Sequence, residues 1–161
     1  MAKKKEEKTN VMRTLEQKKI AYTAHTYPHE DGVAVDGVTV AQMLGQNPDA
    51  VFKTLVTKGA SGGYYVFDIP VAENLDLKKA AKAAGDKNME MVAVKELLGL
   101  TGYIRGGCSP VGMKKKYPTF FDETCILWDE IAVSAGARGH QIILAPEDLI
   151  GFIDGTCVDL I

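Results

Sequence analysis

The chain has 161 residues, 46% hydrophobic and 25% charged, with a formal net charge of −2. That length supports one domain with a substantial core and leaves little room for a second, and the composition excludes collagenous, low-complexity and disordered classes for all but the ends. The slight negative charge excludes a protein that coats nucleic acid non-specifically, although a local basic patch stays open.

Residues 1–9 are charged and aperiodic and read as a frayed tail ahead of a domain spanning residues 10–161. Their Met-Ala-Lys-Lys-Lys start has no apolar stretch of a secretory signal, and no run in the chain approaches the length of a bilayer span, so the expected location is the cytoplasm. Val11, Met12, Leu15 and Ile20 share one face of a short helix with Asn10 as its cap. Tyr22–Tyr27 is aromatic and β-branched and closes at Pro28, which predicts the first strand. A loop is expected over His29–Gly37, then a short helix from a Thr39 cap through Leu44, with Gly45 as its left-handed stop and a further turn opening at Asn47-Pro48. Residues 51–57 and 64–69 predict a strand pair joined by Gly59, Ser61, Gly62 and Gly63.

Asp76 caps the clearest helix, 77–84, which Gly85 ends. Met91-Val92 reads as a strand entering a helix over residues 94–98, with Gly99 at its end. Short strand-like runs follow at 119–121, 125–128, 131–134 and 141–144, and Pro146 opens a final helix. No fixed repeat is visible. Strands outnumber helices in mixed order, so the predicted class is α+β or a mixed α/β sheet in one domain.

Between these elements, residues 101–112 (Thr-Gly-Tyr-Ile-Arg-Gly-Gly-Cys-Ser-Pro-Val-Gly) hold four glycines. A plain turn explains such a cluster. So does a backbone whose N–H groups hold a phosphate or a developing oxyanion. Lys53 interrupts the apolar run Val51-Phe52 and Leu55-Val56: it either turns outward to water or places an ammonium in a cleft. Lys114–Lys116 is either solvated surface or a contact to an RNA backbone. Ser134 ends its strand beside a second glycine turn, 135–139, where it bonds its own backbone or serves a site. Cys108, Cys125 and Cys157 are odd in number and widely spaced, which predicts buried or free thiols rather than a disulfide framework or zinc site. The spacing around Cys108-Ser109 misses the nucleophile elbow, and the glycines miss the dinucleotide fingerprint. His25, His29 and His140 lack metal-ligand spacing, so no metal is assigned.

Phe52-Lys53-Thr54-Leu55, the stretch Asn74–Ala81, Thr101-Gly102-Tyr103 with Gly106–Gly112, and Ser134–Gly139 followed by Ala145–Leu149 are four blocks covering nearly the whole chain. In this order they resemble the YbaK/EbsC family, in particular its bacterial YbaK-type Cys-tRNA(Pro) deacylases, relatives of the editing domain inserted in bacterial prolyl-tRNA synthetases. The resemblance implies a mixed, mostly antiparallel, barrel-like β-structure flanked by helices, and hydrolysis of an amino acid wrongly esterified to tRNA, with no metal or organic cofactor. It implies that Lys53, with Thr54 beside it, engages the terminal adenosine and its phosphate. It further implies that the loop carrying Gly106, Gly107, Ser109 and Pro110 cradles the aminoacyl ester. Ser134 is the family's strand-end serine, and Tyr27 is an aromatic at the pocket's edge. Lys53, Gly107 and Ser134 are the expected catalytic set; Cys108 receives no catalytic role. The implied partners are the 3′ end of tRNA(Pro) and prolyl-tRNA synthetase. Ala-tRNA(Pro) as substrate, or a non-catalytic tRNA- or synthetase-binding module of the same fold, are the alternatives.

Overall fold

Two antiparallel hairpin-like pairings organise the chain. The structure, a computed structural model, describes residues 8–161. Helix α1 (Asn10–Gln17) buries Val11, Met12 and Leu15. Its cap is Thr9 and not the expected Asn10: the Thr9 hydroxyl accepts from the Met12 N–H at 3.3 Å. Residues 1–7 of the expected tail lie outside the described residues, while Lys8 pairs with Glu16 and Thr9 already belongs to the helix start. Strand β1 (Thr23–Thr26) follows.

Helix α2 (Gly37–Met43) is capped by Asp36 rather than Thr39. The Asp36 carboxylate accepts from both the N–H and the hydroxyl of Thr39, so the threonine is the capped residue and the aspartate the cap. A 3-10 turn, Pro48–Ala50, leads into β2 (Phe52–Gly59), which pairs antiparallel with β3 (Tyr64–Pro70) from Phe52↔Pro70 to Lys58↔Tyr64. The glycine-rich connection expected between them is the hairpin loop, with Gly62 at φ +93°.

Helix α3 (Leu77–Ala84) begins and ends where the sequence placed it, between the Asp76 cap and Gly85 in the left-handed region. After β4 (Met89–Met91), α4 (Val94–Thr101) runs through Gly99 and stops at Gly102, φ +85°. A glycine inside a helix costs about 1 kcal/mol but does not force an end; here Thr101 continues the turn by donating its hydroxyl to the Leu97 carbonyl.

Strand β5 (Thr119–Asp122) is followed by a 3-10 helix, Glu123–Leu127, where the sequence suggested a strand over 125–128. Asp122 captures the N–H and hydroxyl of Thr124 and turns the chain. Of the apolar run only Cys125 goes inward, while Ile126 and Leu127 stand 61% and 77% exposed. Strands β6 (Ile131–Ser134) and β7 (His140–Leu144) and helix α5 (Pro146–Ile153) come as expected. The closing strand β8 (Thr156–Val158) was not foreseen. With three residues and no buried member, it gives no alternation to read.

The strands form a five-stranded sheet, β4-β2-β3-β5-β8, and a three-stranded sheet, β1-β7-β6. Pairings are antiparallel except β3 with β5 and β5 with β8. A parallel bridge, Val51↔Ala132, ties the two sheets together. One core lies between them and includes Phe52, Phe121, Ile142, Leu144 and Leu149. A second packs Phe67 and Ile69 of the large sheet's other face against Ala80 and Ala81 of α3, with the Phe67 and Phe120 rings stacked at 5.3 Å.

Asp76 accepts from the N–H groups of Lys78 and Lys79 at 3.0 and 3.1 Å. Asp76→Ala is expected to cost about 1 kcal/mol, a fall of roughly 2–4 °C in melting midpoint; an unchanged midpoint in calorimetry would show that this cap does not hold the helix.

Candidate active site

The bridge that joins the sheets also sets the site. From Val51 and Ala132 the two parallel chains run on by two residues each, reaching Lys53 on β2 and Ser134 at the end of β6. Beside them lies a cleft enclosing about 130 Å³, lined by Lys53, Thr54, Tyr27, Gly106, Cys108 and Ser134. Val35, Val40, Val71 and Val133 form its apolar wall, and His140 and Gln141 complete it.

Lys53 is half-buried, and its ammonium has no hydrogen bond or ion pair among the described residues. Burial lowers its pKa below the usual lysine value, and the nearby charge of Glu73 partly opposes that. The outward, fully solvated reading of this lysine is therefore not the one seen. Tyr27 is 9% exposed and donates its N–H to the Gly139 carbonyl at 3.0 Å.

The loop after α4 is held by close backbone packing. Gly106 has φ +86°, and a Cβ there would stand 2.9 Å from Ala34 Cβ. A Cβ at Gly107 would meet the backbone of Ala137 and Arg138 at 3.1–3.2 Å, so the two glycine turns touch directly. Arg138 Nε donates to the Arg105 carbonyl at 2.8 Å across the same contact. Gly107 is buried, and its N–H donates to the Ile104 carbonyl at 3.0 Å. Gly106 and Cys108, on either side of it, line the cleft and give their N–H groups to no acceptor among the described residues.

Ser134 shows both features read from its sequence position. Its Oγ accepts from the Gly136 N–H at 3.2 Å, the bond of a turn serine, and it also lines the cleft. Accepting that bond leaves its own O–H proton free to donate. Ser109 and Pro110 lie elsewhere. Ser109 is fully buried with its Oγ accepting from the Val111 N–H, and Pro110 borders a second cavity beside Lys115, Lys116 and Tyr117. Lys116 is paired with Asp154, while Lys114 and Lys115 are exposed.

Sequence reading did not single out the group beneath the cleft. Asp68 of β3 is fully buried opposite Thr54. Its Oδ1 accepts from the Thr54 hydroxyl at 2.5 Å, and its Oδ2 has no partner. Burial pushes its pKa up to about 8, against the pull of the Thr54 bond. The neighbouring Cys108 thiol is pushed up to about 12 by burial and then by Asp68, so it is neutral near pH 7 and a poor nucleophile. Asp68 gave a faint sequence signal, a lone acid in the apolar run Tyr-Tyr-Val-Phe-Asp-Ile. Gln141 gave none; it exchanges two side-chain hydrogen bonds with Gln46 at 2.7 and 3.0 Å.

With this geometry in place, comparison with known proteins is direct. A model of the family described as "Aminoacyl-tRNA editing domain" matches residues 33–152. The chain belongs to this family. It is 47% identical over 162 aligned residues to a protein of Enterococcus faecalis named "Putative Cys-tRNA(Pro)/Cys-tRNA(Cys) deacylase EbsC", covering 99% of this chain and 98% of that one. A solved structure described as "a putative trans-editing enzyme for prolyl tRNA synthetase" is similar at a TM-score of 0.78 and 25% identity, over 93% of each chain. The solved "hypothetical protein APE2540" shares the fold at a TM-score of 0.83 and 20% identity, over 93% of this chain and 97% of that one. The family and mixed α/β fold read from the four sequence blocks are thus those of the molecule. No helix among the described residues is long and apolar enough to cross a membrane.

The raised pKa of Asp68 has a defined sign. Between the ordinary carboxylate value of 3.8 and about 8 the folded state holds a proton that the unfolded state has released. Stability therefore falls as pH rises through that window. Asp68→Asn removes the ionisation while keeping an acceptor for Thr54, so the melting midpoint of the variant relative to the parent should climb between pH 5 and pH 9. Parallel midpoint curves over that range would contradict the assignment.

Proposed function

We propose that this chain is a trans-editing aminoacyl-tRNA deacylase that hydrolyses cysteine mischarged onto tRNA(Pro). The observation that carries the reading is the convergence of Lys53, the Gly106–Cys108 turn and Ser134 in one cleft, within a chain that belongs to the editing-domain family. Editing is required where a synthetase pocket cannot reject a near-isosteric amino acid by binding alone, and cysteine against proline is such a case. The relative from Enterococcus faecalis, by its name, has this substrate class.

An aminoacyl ester is already activated, so orientation, charge and an oxyanion site suffice. Lys53 supplies the positive charge for the terminal adenosine and its phosphate. The free N–H groups of Gly106 and Cys108 and the Ser134 hydroxyl are donors for the oxygen that becomes negative. Gly107 serves by its size: having no Cβ, it lets the loop close on Ala137 and Arg138. Tyr27 and Thr54 border the nucleotide end. Ser109 and Pro110 fix the far side of the loop.

The attacking group is the substrate's own thiol. Its sulfur bonds to the ester carbonyl carbon, the bond from that carbon to the ribose oxygen breaks, and the thiol proton ends on the ribose oxygen; water then opens the cyclic thioester. No nucleophile from the protein is needed, which agrees with the neutral, buried Cys108. The partner in solution is the 3′ end of the aminoacyl-tRNA in the cytoplasm, with prolyl-tRNA synthetase as the source of tRNA selection.

Purified protein with Cys-, Ala- and Ser-charged tRNA(Pro), with and without the synthetase, tests this. Free cysteine should appear fastest. Lys53→Ala should lower the rate roughly 100-fold or more, and Cys108→Ala should leave it within a few-fold. Equal loss in both variants removes these roles; preferential release of alanine names a different substrate, and release of no amino acid leaves a binding module.

A further inference from the structure

Outside the residues that line the cleft, two thiols meet. Cys125 of the 3-10 helix and Cys157 of β8 are 32 positions apart, yet their Sγ atoms lie 3.2 Å from each other. Cys125 is fully buried and Cys157 is exposed. The surroundings hold both in place. Cys157 pairs with Phe121 in the parallel β5–β8 register, and the next pair is Asp122↔Val158. Asp122 caps the turn that carries Cys125 and also accepts from the Leu160 N–H at 2.9 Å. One buried carboxylate therefore fixes the backbone on both sides of the thiol pair.

We infer that Cys125 and Cys157 form a reversible disulfide site for low-molecular-weight disulfides, one that fastens the closing strand β8 to the turn after β5. Shortening the contact to a bond of about 2.05 Å needs roughly 1 Å of movement. Reaction begins at the exposed sulfur: the Cys157 thiolate attacks one sulfur of glutathione disulfide, joins it, and expels one glutathione thiolate. The pK of Cys125 is held up by burial first, and then by its hydrogen bond to Cys157 and the charge of that thiol. Capping Cys157 removes the charge of that thiol, while burial and the charges of Asp122 and Glu147 remain. Cys125 then gives its proton to the expelled glutathione thiolate and attacks the Cys157 sulfur, releasing the second glutathione. Two protein thiols are oxidised and one glutathione disulfide is reduced to two thiols. Cys108, buried in a separate cluster with Val56 and Val66, takes no part.

In a cell whose thiol pool is reducing, the pair stays open, and the link forms only when the pool is oxidised. A closed loop of this length raises the thermal midpoint by roughly 7–15 °C.

The test uses the full chain, folded, in glutathione buffers of increasing disulfide fraction, read by intact mass and peptide mapping. The parent protein should lose the mass of two hydrogens, with the cross-link mapped to Cys125 and Cys157, and Cys108→Ala should behave identically. Cys125→Ser should stop at one glutathione added on Cys157, and Cys157→Ser should form no cross-link. The oxidised parent should melt higher, and dithiothreitol should reverse the shift. A stable mixed disulfide in the parent, modification at Cys108 instead, a cross-link surviving in Cys157→Ser, or an unchanged midpoint after oxidation overturns the inference. None of these readouts uses deacylation, so failure here leaves the proposed activity untouched.

Discussion

The single parallel bridge between Val51 and Ala132 is the contact on which the molecule's organisation turns. Among the described residues it is the one bridge between the two sheets. Being parallel, it carries both chains forward together, and two residues beyond it stand Lys53 and Ser134. Had the sheets met antiparallel at the same point, the strands would diverge and those side chains would separate. The bridge also bears on the apolar wall: Val51 packs with Ala41, Val71 and Ala132 in a small cluster, while Phe52 and Val133 join the cleft to the main core.

Onto that frame the two glycine turns are pressed by necessity of size. Gly107 faces the Ala137 and Arg138 backbone, and Gly136 has φ +91° with Val11 and Tyr103 within 3.0 Å of where a Cβ would stand. Removing side chains at these points converts loops, ordinarily loose, into a surface as fixed as the strands they join. The consequence for chemistry is preorganisation: donors aimed at a developing charge act best when nothing must move to aim them.

Much of this was legible in the sequence because local signals and tertiary demands agreed. Asp76 and Gly85 bracket α3 by the same backbone chemistry in any context, and the two apolar runs parted by a glycine-rich stretch are the antiparallel pair β2 and β3. The sequence failed where a neighbour supplied the deciding bond. Thr39 has the chemistry of a cap but is itself bound by Asp36, and residues 125–128 have the composition of a strand but are turned aside by Asp122. Lys53, Gly106 and Ser134 could be named from motif and position, whereas Asp68 could not, since its significance lies in a burial that only the packed sheets create. The same is true of the Gly106 and Cys108 N–H groups. Which amide of a glycine-rich loop is already taken depends on the turn, and here the turn takes that of Gly107.

The reciprocal amides of Gln46 and Gln141 add one more constraint on the cleft's wall. Each side chain donates to and accepts from the other, and because carboxamides do not titrate, the pair that holds Gln141 at the cleft keeps its bonds across the whole physiological range of acidity. The same reciprocity couples their inheritance. A change at either position strands a polar group on the other, so drift along this edge of the pocket is expected to proceed by paired exchanges rather than by single steps.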